Sequence, residues 1–220
     1  MFKQAKSTED HRKEVLDFLS ADFGEAFSQL REYDTRIWDV TKFTFLELLA
    51  GIGAVWTIFT VANGDKAPAP LTPVWELVGA ILLIISFLFS FLAVHLVLRT
   101  RVYFVRVARY INAQRHFYFS LDPSVYPNES KYYTRFDKPE YNDADSTELW
   151  SVYAINVVSS FVFGLGVGLL ANYFKMPNVP SIVLGIVVWL VFTVLEVTYS
   201  HWYLSREDKH PEQIKDRDGG

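Results

Sequence analysis

The stretch "VWELVGAILLIISFLFSFLAVHLVL", Val74 to Leu98, followed without a break by "RTRVYFVRVARYINAQRHFYF", Arg99 to Phe119, decides the fold. The first part is an apolar run long enough to cross a hydrocarbon layer of about 30 Å as a helix, which needs roughly 20 residues. The second is rich in arginine and contains neither proline nor glycine, so the same helix continues past the membrane surface for about five turns. Three further runs bounded by charge or proline have spanning length: Phe43–Asn63, Trp150–Phe174 and Ser181–Leu204. The expected fold is therefore all-α, a polytopic membrane protein with four transmembrane helices and cytoplasmic helical extensions. A hydrophobic content of 50% and a positive mean hydropathy agree with that class.

The spans divide the chain into a segment 1–42, a first transmembrane hairpin 43–98, a segment 99–149, a second hairpin 150–204 and a tail 205–220. Seven Lys and Arg lie before the first span, eight between the second and third, and four after the last, whereas the two hairpin turns hold only Lys66 and Lys175. Basic residues collect on the cytoplasmic side of short loops, so both termini and the central segment are expected there, in a bacterial inner membrane. The first 42 residues are charged throughout, which is unlike a cleavable signal peptide. A net charge of −4 argues against bulk attraction to nucleic acid, and the absence of cysteine removes disulfides and thiolate chemistry.

Residues 8–42 read as a cytoplasmic helix or helix pair, with Val15, Leu16, Phe18, Leu19, Phe23, Ala26, Phe27 and Leu30 on one face. In "REYDTRIWDVTKF", Trp38, Phe43, Arg36 and Lys42 form an interfacial mixture of aromatic and cation, with ligand contact through Asp34 and Arg36 as the sharper alternative. The hairpin turns, "NGDKAPAPLTP" and "KMPNVP", leave no room for an external domain. The stretch Leu121–Glu148 reads as an irregular loop, and its Asn128-Glu-Ser sequon is a chance match on a cytoplasmic segment.

No phosphate-binding glycine loop, HExxH or GxSxG is present, and the five histidines have no metal spacing, so neither an enzyme nor a cofactor or metal site is expected. Two constellations carry candidate chemistry instead. On the Arg99–Phe119 helix, Arg106, Arg109 and Arg115 either meet anionic lipid headgroups or collect an anion such as a nucleotide phosphate, with Tyr103 or Tyr110 stacking on a base. Within the membrane, Glu47, His95, Asn156, Glu196 and His201 all lie at one depth, roughly 5–12 Å from the cytoplasmic boundary. Glu196 inside an apolar span is costly facing lipid, on the order of 3 kcal/mol, so it is expected to face the bundle or a wet cavity. Such a layer is either a buried polar cluster that sets helix register, or a titrating or hydrated gate.

Ser160, Gly164 and Gly168 fall in one stripe and mark a helix-packing face, within the chain or between chains; Ala50 and Ala54 form a weaker one. The layout as a whole resembles the small multi-pass membrane effectors of bacterial antiviral defence, such as those of Pycsar systems and the SLATT-type proteins. "LREYDTRIWDVTKF" and "RVARYINAQR" are the stretches that carry the likeness. It implies a homo-oligomer that senses a cytoplasmic signal and then perturbs the membrane, with a protein partner or a nucleotide as the signal. The alternatives are an accessory subunit that anchors a cytoplasmic partner, and a small ion or proton-linked channel or transporter.

Overall fold

The computed structural model describes residues 8–63, 73–121 and 134–208. The first hairpin turn, the sequon at Asn128 and the end of the charged tail lie outside them. The described elements are four helices, α1 (Thr8–Asn63), α2 (Pro73–Leu121), α3 (Thr147–Tyr173) and α4 (Asn178–Asp208), each long and apolar enough to cross a membrane.

α1 is one helix of 56 residues, where the sequence also allowed a pair. Its interior holds no proline, and its glycines, at 24, 51 and 53, cost too little to break a run flanked by strong helix formers. α2 continues from its apolar half into its basic half as one helix of 49 residues. Pro73 opens it at a position where a missing N–H is harmless, and Glu76 lies in the first turn beside the positive end of the helix dipole.

α3 ends by hydrogen-bond closure. Lys175 takes φ 62°, Met176 N–H donates to the Ala171 carbonyl at 3.1 Å and Lys175 N–H to that of Asn172 at 2.8 Å, which is a Schellman turn. α4 begins three residues before the expected Ser181, because Pro180 sits in a first turn that needs no intrahelical N–H.

The chain forms two compact units. The first contains Met1–Arg36 and Arg101–Tyr141, the second Ile37–Thr100 and Asn142–Gly220. The second unit has a small apolar core of Leu48, Leu83 and Val162, with Ile52, Val55, Val158 and Leu169 against it. Phe87, Phe163 and Phe192 extend it, with ring centroids 4.4 Å apart for the first two and 4.6 Å for the last two. Backbones approach closely at small residues: a Cβ on Gly51 would meet the Ser86 hydroxyl at 2.6 Å, and one on Gly166 the Leu83 Cβ at 3.2 Å.

This unit is inverted relative to a water-soluble domain. Ser86, Ser90, Asn156, Ser159, Ser160, Glu196 and Ser200 are buried, while Leu88, Leu92, Val183, Leu190 and Val194 are exposed. Burying hydroxyls and exposing branched aliphatics is favourable only where the surroundings are themselves apolar, which is what a bilayer supplies.

The first unit packs the N-terminal part of α1, the basic part of α2 and the segment 134–141 around Ala26, Val102, Val105, Ile111 and Tyr141. Segment 134–141, expected as irregular loop, does lack regular structure, yet it is fixed by side chains of α2. Arg101 Nε donates to the Tyr141 carbonyl at 2.8 Å and Arg109 Nε to that of Pro139 at 3.0 Å. Asn112 Nδ2 donates to Lys138 and Arg135 carbonyls at 2.9 and 3.3 Å, so carbonyls without a ladder partner are satisfied.

Candidate functional site

α3 and α4 are antiparallel neighbours joined by the turn at 174–177. The stripe Ser160, Gly164 and Gly168 is used within the chain, on α4. The built Cβ of Gly164 would lie 2.5 Å from the Gly185 carbonyl oxygen, and that of Gly168 3.4 Å from the Ser181 carbonyl oxygen. Toward the opposite end of the same seam, the small residues are replaced by polar ones.

There Glu196 is 4% exposed and Asn156 is fully buried. Ser160 Oγ and Ser159 Oγ both donate to Glu196 Oε2, at 2.7 and 3.0 Å. Asn156 Nδ2 donates to Ser200 Oγ at 3.0 Å. The other carboxylate oxygen, Glu196 Oε1, and the amide oxygen, Asn156 Oδ1, are buried with no donor. Among the described residues no basic side chain is bonded to Glu196, and its partners are the two serines. The cluster thus combines one carboxylate, one amide and three hydroxyls.

The remaining members of the expected layer go elsewhere. His95 is exposed, and its Nδ1 lies 2.9 Å from Tyr199 Oη, with the Tyr203 ring edge-on at 5.5 Å. His201 is also exposed, with Nδ1 2.7 Å from Asn142 Nδ2. Glu47 faces a separate groove of about 900 Å³ between α1 and α2, lined by Thr44, Ala50, Ala54, Ser86 and Ser90, where its Oε2 is buried without a donor. Five residues of similar depth therefore occupy four arrangements, because depth follows the 1.5 Å rise while facing follows the 100° turn of each helix. Among the described residues no three His, Cys, Asp or Glu side chains are placed to hold a metal ion.

In the first unit the anion-binding candidates are engaged with neighbours. Arg109 lies over the Tyr141 ring at 4.4 Å, Arg115 over Phe23 at 5.8 Å and Arg106 over Tyr103 at 5.9 Å. Tyr103 stacks on Tyr33 at 6.1 Å. Tyr110 Oη donates to Asp22 Oδ2, which also accepts from Gln114 Nε2 at 2.6 Å, and the first of these bonds pushes the Tyr110 phenol up from its usual range. Arg135 grips Asp137 with two bonds, at 3.0 and 2.6 Å, and holds that carboxyl low. These side chains tie α1, α2 and segment 134–141 together.

Ser159 and Ser200 complete the polar seam and went unnoticed in the sequence. Folding the second hairpin about its short turn places Ser200 opposite Asn156 and Glu196 opposite Ser160, a pairing that the hairpin's register contains. Comparison with protein-family models, curated proteins and solved structures finds no match to this chain.

Proposed function

We propose that this chain is an oligomeric membrane effector or sensor, in which a cytoplasmic module receives a signal and the membrane-spanning helices respond by perturbing the bilayer. The observation that carries the reading is the continuity of α1 and α2. Each contributes to the first unit and runs on, as a single helix, into a span. In this reading a change in how the signal holds one end of such a helix biases its packing at the other. Bacterial antiviral defence is the setting that the layout suggests, and the inner membrane, with both termini cytoplasmic, is the location suggested by the basic residues. The Ala50 and Ala54 stripe in the α1–α2 groove is the surface assigned to contact between copies, since Gly164 and Gly168 already serve the chain's own seam.

Membrane potential measured after induced expression and after phage infection tests this. Wild type should depolarise cells. Arg106→Glu, which leaves the Arg109 bond to the Pro139 carbonyl in place, should abolish the response while leaving inserted protein at wild-type level. Absence of depolarisation by the wild type under either condition would remove the effector reading.

A second reading is favoured by the apolar surface of the first unit, where Val15, Phe18 and Phe136 are exposed. Exposed apolar side chains of this kind, on residues expected outside the bilayer, suit an accessory subunit that holds a cytoplasmic protein. Co-purification of one stoichiometric soluble protein, lost on Phe18→Ser, would favour it.

A further inference from the structure

We propose that the polar seam between α3 and α4 is a binding site for a single sodium ion, with Glu196 Oε1 and Asn156 Oδ1 as its principal ligands. The inference does not rest on the effector reading.

It begins with a mismatch of donors and acceptors. Among the described residues, no hydroxyl or amide hydrogen of the seam is within bonding reach of its last two acceptors, and Ser159 Oγ also lies 3.2 Å from the Asn156 carbonyl. Ser159 and Ser160 donate to Glu196 Oε2, and Asn156 Nδ2 donates to Ser200 Oγ. Two acceptors are left over, Glu196 Oε1 and Asn156 Oδ1, each buried and each without a donor. Buried polar atoms are nearly always satisfied, and two orphaned acceptors, one of them on a carboxylate whose partners are two neutral serines, favour a positively charged occupant. Asn156 and Ser160 lie one helical turn apart on α3, and Glu196 and Ser200 one turn apart on α4. With Ser159 beside Ser160, all five ligating positions therefore belong to two adjacent helices, held by the Gly164–Gly185 approach.

The chemistry of the donor set names the ion. All available ligands are oxygens, with no imidazole or thiolate, so a hard cation is selected. Only one of them carries a formal charge, which balances a monovalent ion and leaves a divalent one undercompensated in an apolar surround. Ser159 and Ser160 give their hydrogen to Oε2 and Ser200 accepts one from Asn156 Nδ2; each hydroxyl oxygen keeps a lone pair for the ion, so the three can complete its shell. The oxygens sit on short serine and asparagine side chains and one glutamate of two closely packed helices, which favours the smaller of the common monovalent cations, sodium. No competing cation is in place: among the described residues no Lys or Arg is bonded to Glu196, His95 is turned to Tyr199 and His201 to Asn142. Glu47 on α1 faces the α1–α2 groove.

A bridging proton is the other small cation that could link two acceptors, and the experiment separates it. Full-length protein in detergent is followed by thermal unfolding and by radioactive sodium binding, in NaCl, KCl or choline chloride at one ionic strength and across a pH series. The expected result is a saturable rise in Tm with NaCl alone and one ion bound per chain. Asn156→Ala and Glu196→Gln should each weaken the apparent affinity by about tenfold or more. Should Glu196→Gln fold poorly, Ser159→Ala leaves the carboxylate in place and should still lower the affinity measurably. Equal responses to the three salts would overturn the proposal, as would a sodium response untouched by Asn156→Ala and Ser159→Ala. Stabilisation by acid with no sodium dependence at any pH would assign a proton to the seam and overturn it equally.

Discussion

A Cβ on Gly164 would lie 2.5 Å from the carbonyl oxygen of Gly185, and one on Gly185 would lie 2.8 Å from that of Gly164. The two helices meet backbone to backbone, and the polar seam exists at its present width because of it. Gly164→Ala must push α3 from α4 against a rigid carbonyl, so a loss of about 2 kcal/mol or more is expected, read as a lowered Tm. Gly168→Ala, whose Cβ would sit 3.4 Å from the Ser181 carbonyl, should be tolerated. Equal behaviour of the two variants would contradict this packing.

Asn112 holds segment 134–141 through two carbonyls. Asn112→Ala removes the donor from the Lys138 carbonyl and leaves the Arg135 carbonyl with only the 3.4 Å bond from Lys138 N–H, and should cost about 1–2 kcal/mol locally. Limited trypsin digestion should then cut after Arg135 faster than in wild type, and hydrogen exchange should rise across the segment while α3 and α4 keep their protection.

Tyr110 is a pH probe of the first unit. Its bond to Asp22 raises the folded pKa above the ordinary 10.0. A group whose folded pKa is raised contributes stability that is fully present below its unfolded pKa and lost as pH rises through the folded one. The stability difference between wild type and Tyr110→Phe should thus be constant up to about pH 9 and shrink above about pH 10. A difference that grows with alkalinity would show that the bond to Asp22 does not hold the proton.

The native chain has no cysteine, so topology can be read by single introduced thiols. Cysteines at Pro70 and Asn178 should label from outside intact cells, and those at Ser7, Ser130 and Gln213 should not. Labelling at position 130 from outside would overturn the expected orientation.

Much of the architecture was legible because its signals are local. The apolar run from Val74 to Leu98 and the proline-free continuation to Phe119 need only composition and length to be read as one helix. The stripe of Ser160, Gly164 and Gly168 likewise announces a close approach, although only the structure shows Gly185 as what it approaches. The polar layer was legible in depth and not in direction. His95 and Glu196 lie at comparable levels, but rotation about each helix axis turns one toward Tyr199 and buries the other between two serines. The anchoring of Arg101 and Arg109 on the carbonyls of Tyr141 and Pro139 depends on a chain reversal some thirty to forty residues long, for which the intervening sequence has no period.

The order of the units along the chain has a consequence for biosynthesis. Every residue of the first unit, Met1–Arg36 and Arg101–Tyr141, is translated before Thr147, where α3 begins. Once α1 and α2 are inserted, the basic part of α2 can receive segment 134–141 while the last hairpin is still inside the ribosome. The buried carboxylate at Glu196 is made afterwards and meets its serine partners within a hairpin closed by a four-residue turn. A ribosome stalled shortly after segment 134–141 emerges should therefore already display a protease-resistant first unit.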